Sequence, residues 1–293
     1  MKGGLPLIAL ATALAVACAK AEPIRDGPFD GGDEAGLDGA AEAAPDATAD
    51  AAADSASDAV SDAPSTPGCQ CGEPGCGSCP TVAQVAAGGY SIDATEVTNA
   101  AYGEFLGTSP KTSAQPAECA GNIGFQPNSG WPAAVDKQLH PVVDVDWCDA
   151  RAYCFWAKKR LCGKIGGGAN PYADFTDATK SQWHNACSGG GSRAYPYGAT
   201  YTAAICNGAD FGSGSTVAVS STTSCVGGYP GLFDMSGNVW EWEDSCNAQA
   251  GASDLCRIRG GSYSQNAASL DCAADSALPR GSAGKAVGFR CCG

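Results

Sequence analysis

Histidine is almost missing from this sequence: His140 and His184 are the only two in 293 residues. Two cannot assemble a histidine-rich iron or zinc centre. A Ser-His-Asp hydrolase would need one of them beside a nucleophile elbow, and no such motif is present. Basic residues are also scarce, with 17 Lys and Arg against 31 Asp and Glu, and they do not cluster. This predicts no nucleic-acid or polyanionic partner. The glycine runs at 166–168 and 189–191 lack the lysine and helix start of a phosphate loop and read as loops. Beyond the first residues, no stretch is apolar enough to cross a membrane.

Cysteine, in contrast, is abundant. The chain opens with Lys2, an apolar run from Leu5 to Ala17, and the sequence Ala15-Val16-Ala17-Cys18. This predicts a secretory signal peptide over 1–17, too short to span a bilayer as a helix. Small residues directly before a cysteine predict a bacterial lipoprotein with Cys18 as its lipidated first residue. The alternative is an ordinary signal peptide cleaved nearby, with Cys18 discarded. Of the seventeen cysteines, sixteen then remain, an even number that can all pair in an oxidising compartment.

Residues 18–67 form an acidic, Ala/Asp-rich segment. Between Asp26 and Pro67 it has nine Asp, two Glu, no Lys or Arg, and Phe29 as its sole aromatic. Such a composition predicts a disordered tether, a stalk that lifts a domain off a membrane. The stretch 26–67 carries −11 of the formal charge of −14, which leaves only −3 for the rest, so the acidity marks no binding face. Residues 68–80 follow as a Cys-rich segment, Cys69-x-Cys71-x4-Cys76-x2-Cys79. In the cytosol this spacing would suggest zinc; outside the cell it predicts two local disulfides.

From residue 81 to 293 aromatics recur among many glycines, which predicts a single domain. Three amphipathic helices can be placed. The first starts at Thr98 as N-cap and buries Tyr102, Phe105 and Leu106. The second runs from Asp146, its N-cap, to about Lys158, with Ala150, Tyr153, Cys154 and Ala157 on one face. The third starts with a capping box over Thr179-Lys180-Ser181-Gln182 and turns Trp183, Ala186 and Cys187 inward. His184 reads as a surface or capping residue. Cys206 with Cys225, and Cys246 with Cys256, are placed to pin two long Gly/Ser loops.

Nine motifs follow one another in a definite order. They are Thr95-Glu96-Val97-Thr98-Asn99-x-x-Tyr102, His140-Pro141-Val142-Val143, Ala152-Tyr153-Cys154-x-Trp156, Lys159-Arg160-Leu161, Trp183, Tyr195-Pro196-Tyr197-Gly198, Leu232 to Trp242, Arg259-Gly260-Gly261-Ser262-Tyr263, and Val287-Gly288-Phe289-Arg290. Together they resemble the sulfatase-modifying-factor, or formylglycine-generating enzyme, family over about 85–292. The resemblance implies a C-type-lectin-like α+β fold with little regular secondary structure and multiple disulfides. It also implies bridges Cys154–Cys291 and Cys187–Cys272, and leaves Cys119, Cys148, Cys162 and Cys292 to any of three pairings.

The family's enzymes oxidise a sulfatase cysteine to formylglycine with molecular oxygen and a copper(I) ion held by two cysteines, the ligands a soft monovalent ion needs. Counted from Ser262, which aligns with the family serine, the two positions are Gln265 and Leu270. Neither can ligate copper(I), so no copper is expected. Cys272 is read as the family's structural cysteine, not as a displaced ligand. The family also implies calcium at Asp234, the carbonyls of Gly237 and Val239, and Glu241, with a weaker second site at Asn207 and the Gly208 carbonyl. The alternative is a plain turn, with Glu241 neutralised by an arginine such as Arg259.

These expectations point to an envelope lipoprotein, lipid-anchored at Cys18, whose domain is a non-catalytic recognition module for a protein, peptide or glycan. Two alternatives stand beside it. One is an oxidase with displaced cysteines, Cys272 with Cys291 or Cys292; the other is a structural envelope module.

Overall fold

The computed structural model describes residues 68–293; the signal peptide, Cys18 and the acidic segment lie outside them. Helix α1 spans Asn99–Gly107, and the Thr98 hydroxyl accepts a hydrogen bond from the Ala101 N–H, one of the donors a helix start leaves unpaired. Tyr102 and Phe105 are buried, and Leu106 packs partly buried beside them. Helix α2 spans Trp147–Trp156. Asp146 caps the Asp149 N–H at 2.9 Å, and Asp149 reaches back to the Asp146 N–H at 3.2 Å, a capping box built from two aspartates.

Helix α3 differs from expectation. It spans Gln182–Ser188, and its N-cap is Ser181, whose hydroxyl accepts from the His184 N–H, in place of Thr179. Tertiary contacts override the local signal. Gln182 cannot close a box on Thr179 because its Oε1 accepts from Arg160 and from the Gly163 N–H. Thr179 instead donates to Asp177 in the preceding turn. His184 is likewise buried, not on the surface, with Nδ1 3.0 Å from the Cys272 carbonyl.

Before, between and after the helices run eight short strands: β1 Gln84–Ala87, β2 Tyr90–Asp93, β3 Arg160–Leu161, β4 Trp240–Cys246, β5 Leu255–Arg259, β6 Ala277–Pro279, β7 Val287–Phe289 and β8 Cys291–Cys292. They form two four-stranded sheets, ordered β1-β2-β8-β3 and β6-β5-β4-β7. All pairings are antiparallel except β4 with β7, which brings the C-terminal motif alongside Trp240–Trp242. The arrangement is α+β with little regular secondary structure.

One apolar core joins α1, α2 and the second sheet through Tyr102, Phe105, Tyr153, Trp156 and Phe289, whose rings meet at 5.4–6.2 Å. Such ring pairs contribute about 0.5–1.5 kcal/mol each beyond their burial. The other core gathers Ile92, Trp183, Leu232 and Met235. Each of the four most buried tryptophans finds an acceptor for its indole N–H: Trp147 on the Glu243 carbonyl, Trp156 on Cys76, Trp183 on Glu241, Trp242 on Val145.

Eight disulfides close the fold among the described residues. Cys154–Cys291 and Cys187–Cys272 are the pairs the resemblance implies, and Cys206–Cys225 and Cys246–Cys256 pin their loops. The four cysteines left open pair as Cys119–Cys148 and Cys162–Cys292. In the Cys-rich segment, Cys69 bonds Cys76 and Cys71 bonds Cys79, so its four sulfurs are spent on one another and cannot hold zinc.

Candidate functional site

The segment from Ser262 to Cys272 is built around turns. Ser262 is buried, with its hydroxyl 3.2 Å from that of Ser264. The Gln265 N–H donates to the Ser262 carbonyl, and the Gln265 carbonyl accepts from Ala209. Asn266 then caps one turn of 3-10 helix, Ala267–Ser269. Leu270 is 1% exposed and wedged between glycines. A Cβ on Gly208 would come within 2.5 Å of its Cδ1, and one on Gly261 within 2.8 Å of its Cδ2. Real Cβ contacts are never so close, so both glycines are what let this leucine fill the space. The Leu270 side chain therefore offers hydrocarbon, which cannot ligate copper(I).

Cys272 offers no thiol either. It is bonded to Cys187, and its carbonyl accepts from Arg259 at 2.7 Å and faces His184. Cys291 and Cys292 are held by Cys154 and Cys162. Every cysteine among the described residues is half of a disulfide.

A group of tyrosines leans on this segment. The Tyr195 hydroxyl donates to the Ala267 carbonyl at 3.1 Å. Tyr195 and Tyr197 stack at 5.7 Å, and Tyr201 lies 5.6 Å from Tyr195. Tyr201 donates to Asp210, and burial together with that carboxylate pushes its hydroxyl up to about 12. Tyr197 and Tyr201 are half-buried, so parts of both remain open to solvent.

The turn before β4 gathers charge. Asp234 and Asn238 both take left-handed backbone, φ 57° and 59°, which Asp and Asn tolerate better than other non-glycine residues. Asp234 accepts from the Ser220 N–H at 2.6 Å. Glu241 is neutralised by Arg290 and not by Arg259: Arg290 grips both of its oxygens at 2.8 and 2.7 Å, and Trp183 adds a third donor. Arg259, though directly across from Glu241 in the sheet, turns to Glu243 on the same face, 3.7 Å away.

Sequence reasoning missed Glu96 and the role of Arg290. Glu96 is 1% exposed; Asn238 donates to its Oε1 at 3.0 Å, and its Oε2 accepts no hydrogen bond. Burial, and then the charge of Asp234, hold its carboxyl well above the usual range. Asp234 itself is pushed up to about 6 by burial, against the pull of the Ser220 N–H and Arg290. The available signal was that Arg290 stands inside an apolar run, Val287 to Cys292, where a charge needs a partner; nothing local marked Glu96.

Three buried carboxylates thus face one guanidinium. The donors are hard oxygens, and the Glu96 Oε2 is buried with no hydrogen bond. That chemistry fits calcium and not copper(I). Glu241 is already committed to Arg290, so Asp234 and the carbonyls of Gly237 and Val239 would carry most of the coordination. No three His, Cys, Asp or Glu side chains converge as a ready metal cage among the described residues. Asn207 abuts the same turn, but its amide is engaged with Ser213, Ser215 and Asn238.

The sequence profile of the sulfatase-modifying factor enzyme 1-like domain matches residues 59–293. The formylglycine-generating enzyme of Mus musculus is 31% identical over 182 residues, covering 53% of this chain and 44% of that protein. The inactive C-alpha-formylglycine-generating enzyme 2 of Bos taurus is 32% identical over 176 residues, covering 53% of this chain and 51% of that protein. The chain spans about half the length of the curated relatives it matches. Among solved structures, CarF is similar at 25% identity and a TM-score of 0.47, covering 69% of this chain and 85% of that one.

Proposed function

Because this chain belongs to the sulfatase-modifying factor enzyme 1-like domain family, with Gln265 and Leu270 standing at the positions that the resemblance assigns to the copper-holding cysteines, we propose that it is a non-catalytic recognition domain of the bacterial cell envelope. The observation that carries the reading is Leu270, buried between Gly208 and Gly261 where a thiolate would be needed. A relative named as inactive shows that the family accommodates loss of the chemistry.

Ligand contact is assigned to the tyrosine group of Tyr195, Tyr197 and Tyr201. Tyr197 and Tyr201 present partly exposed rings with polar edges, which suit a sugar ring or an extended peptide, and the buried Tyr195 backs them. Export and attachment through a lipid on Cys18 put the domain where such ligands occur, and eight disulfides suit that compartment. Calcium at Asp234, Gly237, Val239 and Glu241 would fix the turn before β4 and offset the surplus carboxylate charge.

Screening the full chain on peptide and glycan arrays tests the reading. Binding that is lost in Tyr197→Ala, with the melting temperature kept, supports it. A chain that binds nothing on either array and converts a co-expressed sulfatase cysteine to formylglycine overturns it. Calcium is tested separately, by calorimetric titration of the chelator-treated chain: saturable binding that is lost in Asp234→Ala is expected, and absence of binding removes the site.

A further inference from the structure

The Cys-rich segment has no part in the site above, yet it is held firmly against the domain. The Cys71 N–H donates to the Trp156 carbonyl at 2.8 Å, and the Trp156 indole N–H donates to the Cys76 carbonyl at 2.8 Å. A Cβ on Gly68 would lie 3.2 Å from Phe155. This docking lines one side of an open cleft. Gly68 and Cys69 form one wall of a space of about 360 Å³ between α1, α2 and the turn after α1.

The other walls are mostly apolar, with rings from Phe105, Phe125, Phe155 and Trp156. The charged side chains lining this cavity are two cations, Arg151 and Lys111, and no Asp or Glu lines it. Neither cation forms a salt bridge with any described residue. Arg151 is half-buried on α2, and Lys111 is exposed. An apolar pocket with a few convergent polar groups is the usual form of a small-ligand site.

We propose that this cavity binds a small apolar carboxylate, its hydrocarbon body among the four rings and its carboxylate on Arg151 and Lys111. The planar fork of an arginine matches a carboxylate with two parallel hydrogen bonds. The space of about 360 Å³ lies within the range of small-ligand sites, and a medium-chain carboxylate such as decanoate represents the class. On this reading the two local disulfides make the segment a fixed wall of the binding site. The proposal is independent of the recognition face, with which it shares no residue.

The test is calorimetric titration of the full chain carrying Cys18→Ser, so that no attached lipid competes, with decanoate, decanol and decyltrimethylammonium. One decanoate per chain is expected. Arg151→Gln should weaken decanoate tenfold or more, the loss of a charged hydrogen bond, and leave decanol unchanged. Ala152→Leu, which narrows the cavity, should weaken both. If Ala152→Leu does not fold, Arg151→Gln alone decides. No saturable decanoate binding, or equal binding of decanoate and decyltrimethylammonium, or decanoate binding unaltered by Arg151→Gln, overturns the proposal.

Discussion

At the scale of single residues, Leu270 and His184 carry consequences that can be measured. Leu270 is wholly buried, so Leu270→Ala should cost about 2–5 kcal/mol, the lost burial plus the cavity left behind; urea unfolding that shows less than 1 kcal/mol would contradict its packed placement. His184 is pushed below its ordinary value by burial, against the Cys272 carbonyl, with Arg259 adding to the depression. The unfolded chain, with its histidine near 6.5, therefore takes the proton first as pH falls. The stability from neutral His184 is present above that value and lost as pH falls through it toward the lower folded one. Melting temperatures of the parent and His184→Gln at pH 8 and pH 5.5 should draw together at the acid end. A constant difference between them would contradict the burial. The burial of His184 was not legible beforehand, because burial of an isolated histidine is decided by distant chain, here Cys272, 88 positions away.

Elements were legible where their signals are local. Helix α1 starts on Thr98 and helix α2 on Asp146 as their cap residues and apolar spacing indicate. Helix α3 is displaced because Gln182 answers to Arg160 and Gly163, contacts formed only in the folded chain. Ser181→Ala should accordingly cost about 1 kcal/mol, the usual loss of a cap, and more to the extent that its bond to Glu243 is lost. Thr179→Ala should change stability by only a few tenths. Guanidinium unfolding of the two variants checks this, and the reverse order would restore Thr179 as the cap. The Glu241–Arg290 pair was hidden for the same reason as the cap. The two lie 49 residues apart and meet through the parallel pairing of β4 and β7, while Arg259 stands nearer in the antiparallel register.

For the whole molecule, the family and the α+β architecture were readable from the order of the motifs, and the oxidised state from the cysteine count. The remaining pairings Cys119–Cys148 and Cys162–Cys292 were not, since an even number of cysteines does not fix connectivity. The central claim is that this domain keeps the family scaffold without the thiolates of its chemistry, which rests on Gln265, Leu270 and the Cys187–Cys272 bond. Anaerobic titration of the oxidised full chain with copper(I), against a competing chelator and with absorbance of the thiolate charge-transfer band, tests it most directly. The account predicts that the chelator keeps the copper and no such band appears; one tightly held copper per chain with a two-thiolate spectrum would contradict it.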